Sequence, residues 1–358
     1  MSRFFSDKYA GLQAYTPGEQ PRDMQYVKLN TNESPFPPPR AAIEAAARAA
    51  ERMHLYCDPD CTELTKALAG YFDADREQIL VTNGSDEILH FAFMAFCDDG
   101  CPALFPDITY GFYPVFAELE RVPVCRIPLR EDFTVDPEPY RKNTGTVFLA
   151  NPNANTGIAL SSDQIEEILK ANPDHVVVID EAYGDFGAGS VIPLTKRYGN
   201  LLVTRTFSKG WSMAGARLGI GIGSPAIMAD LNTVKYSTDP YNVNVMTQAA
   251  GIGALRAAEE IRENCARIVQ NRQWTEGELT RRGFTLTDSR ANFVFARHEK
   301  RNGQELYEML KANGVLVRHF GSKRISDYIR ITIGSRPQME RLMEEIDAAL
   351  AEESGRHA

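Results

Sequence analysis

The sequence contains no run of about 20 apolar residues, the length needed to cross a bilayer as a helix. Its start also lacks the apolar stretch and small-residue cleavage site of a secretory signal, because Arg3, Asp7 and Lys8 already carry charge there. A cytoplasmic location is expected and a membrane partner is not. Positive charge is in deficit, with 39 Lys and Arg against 48 Asp and Glu, a net charge of -9 and a pI near 5.3. Binding to nucleic acid needs clustered cations that displace counterions, so that partner class is set aside. No repeat or low-complexity tract is present, and 43% hydrophobic with 24% charged residues is ordinary for a globular protein.

Metal and dinucleotide signatures are also missing. The six cysteines fall at 57, 61, 97, 101, 125 and 265. Their two C-x3-C pairs are wider than the C-x2-C spacing of specific zinc patterns. An acidic chain with no secretion signal is expected to keep such thiols reduced and structural. The six histidines show no ligand spacing, so no metal is expected. Gly219, Gly221 and Gly223 are followed by Ser224 and Pro225, which leaves no G-x-G-x-x-G opening a helix. These glycines are expected to let a strand pack closely beside the functional site.

What is present is alternation. At 358 residues the chain suits a large domain with a smaller satellite. Uninterrupted apolar runs at 79–81, 103–105, 147–150, 176–179, 201–203 and 218–222 have the pattern of strands covered on both faces. Helical segments at 85–96 and 161–171 lie between them, which predicts an α/β fold with a mostly parallel sheet sandwiched by helices. A proline- and asparagine-rich arm at 14–39 and an alanine-rich helix at 40–53 come first. A long helical stretch at 245–282 comes after, as the junction to a smaller α/β domain. That domain has strands at 292–295, 315–317 and 328–333 and helices at 304–312 and 338–350.

Three elements carry chemistry. Lys209 follows the strand at 201–203, flanked by Thr206 and Ser208, with Arg217 eight positions on. A partly desolvated lysine has a lowered pKa and can form a Schiff base with an aldehyde. Asp180 ends the strand at 176–179. Alone it reads as a turn former or helix cap; beside a lysine–aldehyde site it can hold a pyridine nitrogen protonated, making the ring an electron sink. The strand at 79–81 runs into Gly84 and a helix beginning near Ser85, where free N–H groups can hold a phosphate. Ser85 or Asp86 as a plain N-cap is the alternative for that element.

In this order and at these separations, the elements resemble the fold type I aminotransferases over nearly the whole chain, and among them the histidinol-phosphate aminotransferase group. The resemblance is carried by Tyr15 to Glu19, Lys28 to Glu33, Tyr56 to Pro59, Asn83 to Glu87, Tyr110 and Gly111, Asn151 to Asn153, Asp180 to Tyr183, Thr206 to Lys209, Arg217, and Tyr328 to Gly334. It implies an aspartate-aminotransferase-like large domain with a seven-stranded type of sheet. It also implies an arm over 1–30 that joins the small domain and a dimer interface, a large domain over 31–264 and a small domain over 265–358. The implied cofactor is pyridoxal 5′-phosphate, bound covalently by Lys209, with Asp180 on its ring nitrogen and Tyr183 and Asn153 on its phenolic oxygen. Tyr110 would stack on the ring. Gly84, Ser85, Asp86, Thr206, Ser208 and Arg217 would hold the phosphate, and Tyr56 would reach in from the second subunit of a homodimer. Arg330 would bind the substrate carboxylate, with Arg318, Tyr15 and Asn153 as further substrate contacts.

The implied partners are a small-molecule amino donor and a 2-oxo acid, histidinol phosphate and 2-oxoglutarate above all. An aromatic aminotransferase, a phospho-amino-acid decarboxylase of the same fold, and a cofactor-binding regulator are the alternatives. One loop departs from the family. The usual Asn-Pro-Thr-Gly is replaced within Asn151, Pro152, Asn153, Ala154, Asn155, Thr156 and Gly157, so Asn155 takes the proline position. A non-proline cis bond costs roughly 2.5–4 kcal/mol. The Ala154–Asn155 bond is therefore either trans in an altered loop or cis and held under strain.

Overall fold

A computed structural model describes residues 2–141 and 144–351. A short strand β1 (Val27–Lys28) precedes seven strands that form one sheet: β2 (Ile79–Thr82), β3 (Ala103–Pro106), β4 (Val124–Ile127), β5 (Thr146–Ala150), β6 (Val177–Asp180), β7 (Leu201–Thr206) and β8 (Gly219–Gly223). Their order is β2-β8-β7-β6-β5-β3-β4, parallel except that β8 runs antiparallel to both neighbours. The six apolar runs became strands because helices cover both faces and every residue of β2, β3, β5, β6, β7 and β8 is buried. The seventh strand, β4, has no such run. Val124, Cys125 and Arg126 are exposed because β4 pairs on one side only, at the edge of the sheet.

The glycines of β8 serve the close approach expected of them. A Cβ on Gly219 would lie 2.2 Å from the carbonyl carbon of Gly84, and one on Gly221 would lie 2.5 Å from Ile88. Glycine on this face lets the strand seat directly against the loop and first turn of the helix Ser85–Phe96. Phe93 of that helix stacks on Phe148 of β5 at 4.1 Å, so truncating either ring would cost about 3–5 kcal/mol.

A second sheet of four strands has the order β12-β13-β10-β9, built from β9 (Phe284–Leu286), β10 (Phe293–His298), β12 (Arg318–His319) and β13 (Tyr328–Thr332), all antiparallel. The strand expected at 315–317 divides in two. β11 (Val315–Leu316) pairs in parallel with β1, which stitches the N-terminal arm to this part of the chain, and β12 joins the four-stranded sheet. The helical stretch expected at 245–282 is two helices, Val245–Arg256 and Ala258–Arg281, broken at Ala257. The position after residue 264, expected to divide the domains, lies within the second of these helices. Among the described residues no helix is long and apolar enough to cross a membrane.

Candidate active site

The C-terminal ends of the parallel strands, where open α/β sheets bind ligands, open into a cavity of about 470 Å³ lined by Lys209, Asp86, Tyr110, Tyr183, Arg330, Arg318, Tyr15 and Asn155 among others. Lys209 stands three residues beyond β7, and its Nζ donates to the carbonyl of Thr31 at 2.9 Å. Burial, then the charge of Arg330, hold its amine down to about 8, with Glu33 and Asp86 pulling the other way. It is a lysine with a substantial neutral fraction near physiological pH.

Asp180 ends β6 and is 3% exposed. It accepts from the Thr204 hydroxyl at 2.9 Å, the Tyr113 hydroxyl at 3.3 Å and the backbone N–H of Ala182 at 3.2 Å. Burial pushes its carboxyl up to about 6, and the charge of Asp86 adds to the shift. Its three donors are neutral, so among the described residues no cation pairs with this buried carboxyl, an arrangement that a protonated ring nitrogen would complete. Tyr183, in the following turn, accepts from Asn32 Nδ2 at 2.9 Å, and burial raises its phenol.

The anion cradle lies at the start of the helix Ser85–Phe96. Gly84 has φ 81° and ψ 161° and no side-chain cap, so the first-turn N–H groups are free to face a ligand. A Cβ there would meet Arg217 Nη2 at 2.6 Å. Arg217 donates to Ser208 Oγ at 3.4 Å and to Asp86 at 3.0 Å, and Asp86 accepts from Tyr110 at 2.6 Å. Thr206 Oγ1 donates to Ser208 Oγ at 3.0 Å. Gly84, Ser85, Asp86, Thr206, Ser208 and Arg217 thus bring helix-start N–H groups, hydroxyls and a guanidinium together, donors of the kind that can hold a phosphate.

Arg330, on β13, donates to the carbonyls of Ala154 at 3.0 Å and Asn30 at 3.2 Å and leaves its buried Nε without a partner. Its guanidinium lies over the rings of Phe293 at 5.2 Å and Phe320 at 5.4 Å. Arg318 also lines the cavity, but its two terminal nitrogens each donate at 3.2 Å to the arm, at Pro17 and Thr16. Tyr15 of the arm stacks on Phe112 at 4.1 Å, and both line the cavity.

Two expected residues are not among those lining this cavity. Asn153 is 2% exposed and is not among the cavity residues. Its Nδ2 donates to Ile108 at 3.0 Å and Thr156 at 3.2 Å, its buried Oδ1 has no partner among the described residues, and Asn155 lines the cavity. The cis bond of this loop is Asn151–Pro152, and Ala154–Asn155 is trans. Tyr56 is 84% exposed and stacks on Tyr241 at 4.6 Å, beside a separate apolar cavity of about 640 Å³ that Met53, Leu55 and Met246 also line. Residues that sequence reasoning gave no role include Thr31, Asn32, Tyr113, Thr204 and Thr109, whose buried hydroxyl has no partner. Asn32 lay within a quoted motif, and Asn155 was marked by its departure from one.

Residues 24–346 match the family model described as aminotransferase class I and II. The chain belongs to that family. It is 45% identical over 344 residues to histidinol-phosphate aminotransferase 1 of Bradyrhizobium diazoefficiens, covering 96% of this chain and 98% of the relative. It is 43% identical over 351 residues to histidinol-phosphate aminotransferase of Brachyspira hyodysenteriae, covering 97% and 98%. The solved histidinol-phosphate aminotransferase of Sinorhizobium meliloti, in complex with pyridoxal-5′-phosphate, superposes with a TM-score of 0.84 at 22% identity, over 92% of each chain. That likeness shows that this aminotransferase has the same fold.

Proposed function

We propose that this aminotransferase exchanges the amino group of histidinol phosphate with 2-oxoglutarate, using pyridoxal 5′-phosphate held on Lys209. The observation that carries the reading is one cavity in which a lysine held near 8 faces an arginine with no acidic partner, beside a glycine–arginine anion cradle. The names of the relatives support histidinol phosphate as the amine. When bound, the cofactor supplies an aldehyde that takes up the amino group and a ring that withdraws electrons from the substrate α-carbon.

The chain's own residues do the rest. Asp180 holds a proton at the ring nitrogen, its burial and three neutral donors keeping water away. Tyr183 offers its hydroxyl to the ring oxygen, and Tyr110 presents its ring face. Gly84, Ser85, Asp86, Thr206, Ser208 and Arg217 hold the cofactor phosphate. The Nζ of Lys209 carries the α-proton, a role that suits an amine whose pKa lies near the working pH. Arg330 orients the substrate through its anion, whether carboxylate or phosphate monoester.

The same reading takes the protein as a homodimer in which Tyr56 of the partner subunit completes each site, which accounts for an exposed tyrosine beside an apolar cavity. It divides the chain into an arm over 1–30, a large domain over 31–264 and a small domain over 265–358. The test is to incubate the purified protein with histidinol phosphate and 2-oxoglutarate and to measure glutamate. Wild-type protein should form it and Lys209→Ala should not; turnover by Lys209→Ala at the wild-type rate would refute the assignment.

A further inference from the structure

We infer that Asn155 recognises the substrate, its carboxamide donating a hydrogen bond to the anionic group that Arg330 holds. This rests on the transamination reading. Asn155 lines the cavity with Lys209, Tyr183, Phe320 and Arg330. Among the described residues its side chain has no hydrogen-bond partner at either end, whereas the Nδ2 of Asn153 is engaged by Ile108 and Thr156 and only its buried Oδ1 is left unpaired. A carboxamide at the wall of a polar pocket with both of its ends free is poised for a ligand rather than for the fold.

The loop fixes where that carboxamide stands. Arg330 Nη1 donates to the carbonyl of Ala154, the residue immediately before, at 3.0 Å. Thr287 Oγ1 donates to Thr156 at 2.6 Å, the Arg290 N–H donates to Gly157 at 2.8 Å, and the Gly157 N–H donates back to Asn153 at 2.9 Å. The backbone of Asn155 is therefore fixed next to the carbonyl that the guanidinium holds, and both side chains line the one cavity. Two donors lining one cavity, one of them cationic, suit a common acceptor with several lone pairs, which describes a carboxylate or a phosphate monoester. The proline that the family places here has no side-chain donor, so the carboxamide adds to this chain's pocket a contact that proline cannot make.

The test uses the cofactor-loaded enzyme and its Asn155→Ala and Asn155→Asp variants. Losing one hydrogen bond to a charged group should raise KM for glutamate and for histidinol phosphate by about ten- to a hundredfold. Asn155→Asp, nearly the same shape but negatively charged, should lose more. Reaction with histidinol, which carries neither carboxylate nor phosphate, should lose far less from Asn155→Ala. Affinity for succinate, an anion without an amine, should fall in parallel by calorimetry, and that measurement needs no turnover. Equal losses with histidinol, unaltered succinate binding, or a shifted absorbance spectrum of the lysine-bound cofactor would overturn the proposal. If wild-type enzyme bound succinate through Asn155 yet transaminated neither amine, the functional reading would fail and this one would stand.

Discussion

Mixing the cofactor-free protein with pyridoxal 5′-phosphate over a range of about pH 6 to 10 reads the state of Lys209 directly, because only the neutral amine attacks an aldehyde. With the amine held at about 8, roughly one-tenth is neutral at pH 7, against roughly one part in 3,000 for a lysine at its ordinary value. The rate of adduct formation, followed by absorbance in a stopped-flow instrument, should rise about tenfold per pH unit up to about 8 and then level off. Burial is the larger cause of the shift and Arg330 the next. Arg330→Met removes the second cause alone, so it should move the break upward without restoring an ordinary lysine. The same shift bears on stability with a definite sign. A lysine whose folded value lies below its unfolded one binds its proton less tightly when folded, so this group weakens the fold below pH 8, and that penalty fades as pH rises towards 10.5. A rate still climbing tenfold per unit well above pH 9, or an Arg330→Met break in the wild-type position, would refute the argument.

Other outcomes follow from the same geometry. Asp180→Asn removes a buried carboxylate held at about 6; single-turnover transamination should fall on the order of a hundredfold or more, while thermal stability of the cofactor-free protein at neutral pH should not fall. Gly84→Ala places a side chain at φ 81° and ψ 161°, a region essentially reserved for glycine that costs about 1–3 kcal/mol; equilibrium titration should show weaker cofactor binding. Arg330→Lys keeps the charge but loses the planar fork, so KM should rise for glutamate and histidinol phosphate alike with the cofactor still bound. Arg318→Ala frees the carbonyls of Thr16 and Pro17; limited proteolysis should then cut the arm faster.

Strands covered on both faces announce themselves as apolar runs, which is why β2, β3, β5, β6, β7 and β8 could be placed from sequence. β4 and β9 could not. β4 carries exposed Val124, Cys125 and Arg126, and in β9 Thr285 is exposed, so neither shows an uninterrupted buried pattern. The helix break at Ala257 is silent because alanine is the best helix former and no glycine or proline marks the spot. Lys209 and Asp180 could be singled out because Asp180 ends one recognisable strand and Lys209 stands three residues beyond another. The place of Asn153 could not be read, because loop neighbours two residues apart can face opposite ways and only the structure shows its Nδ2 bonded to Ile108 and Thr156. Arg318 depended on a contact with residues some 300 positions earlier in the chain, which local sequence cannot reveal.

The loop that carries Asn155 follows β5, yet it hangs from the other side of the cleft. Arg330, Thr287 and Arg290 all belong to the stretch that forms the smaller sheet, and they hold the carbonyls of Ala154, Thr156 and Gly157. If the two sheets swing apart to let product leave, this wall must either travel with the smaller sheet or lose three hydrogen bonds together. Travelling keeps Asn155 and Arg330 in register as a single jaw. The cleft would then widen on the side of Lys209 and Asp180, and the grip on the substrate's anion would be the last part of the site to come apart.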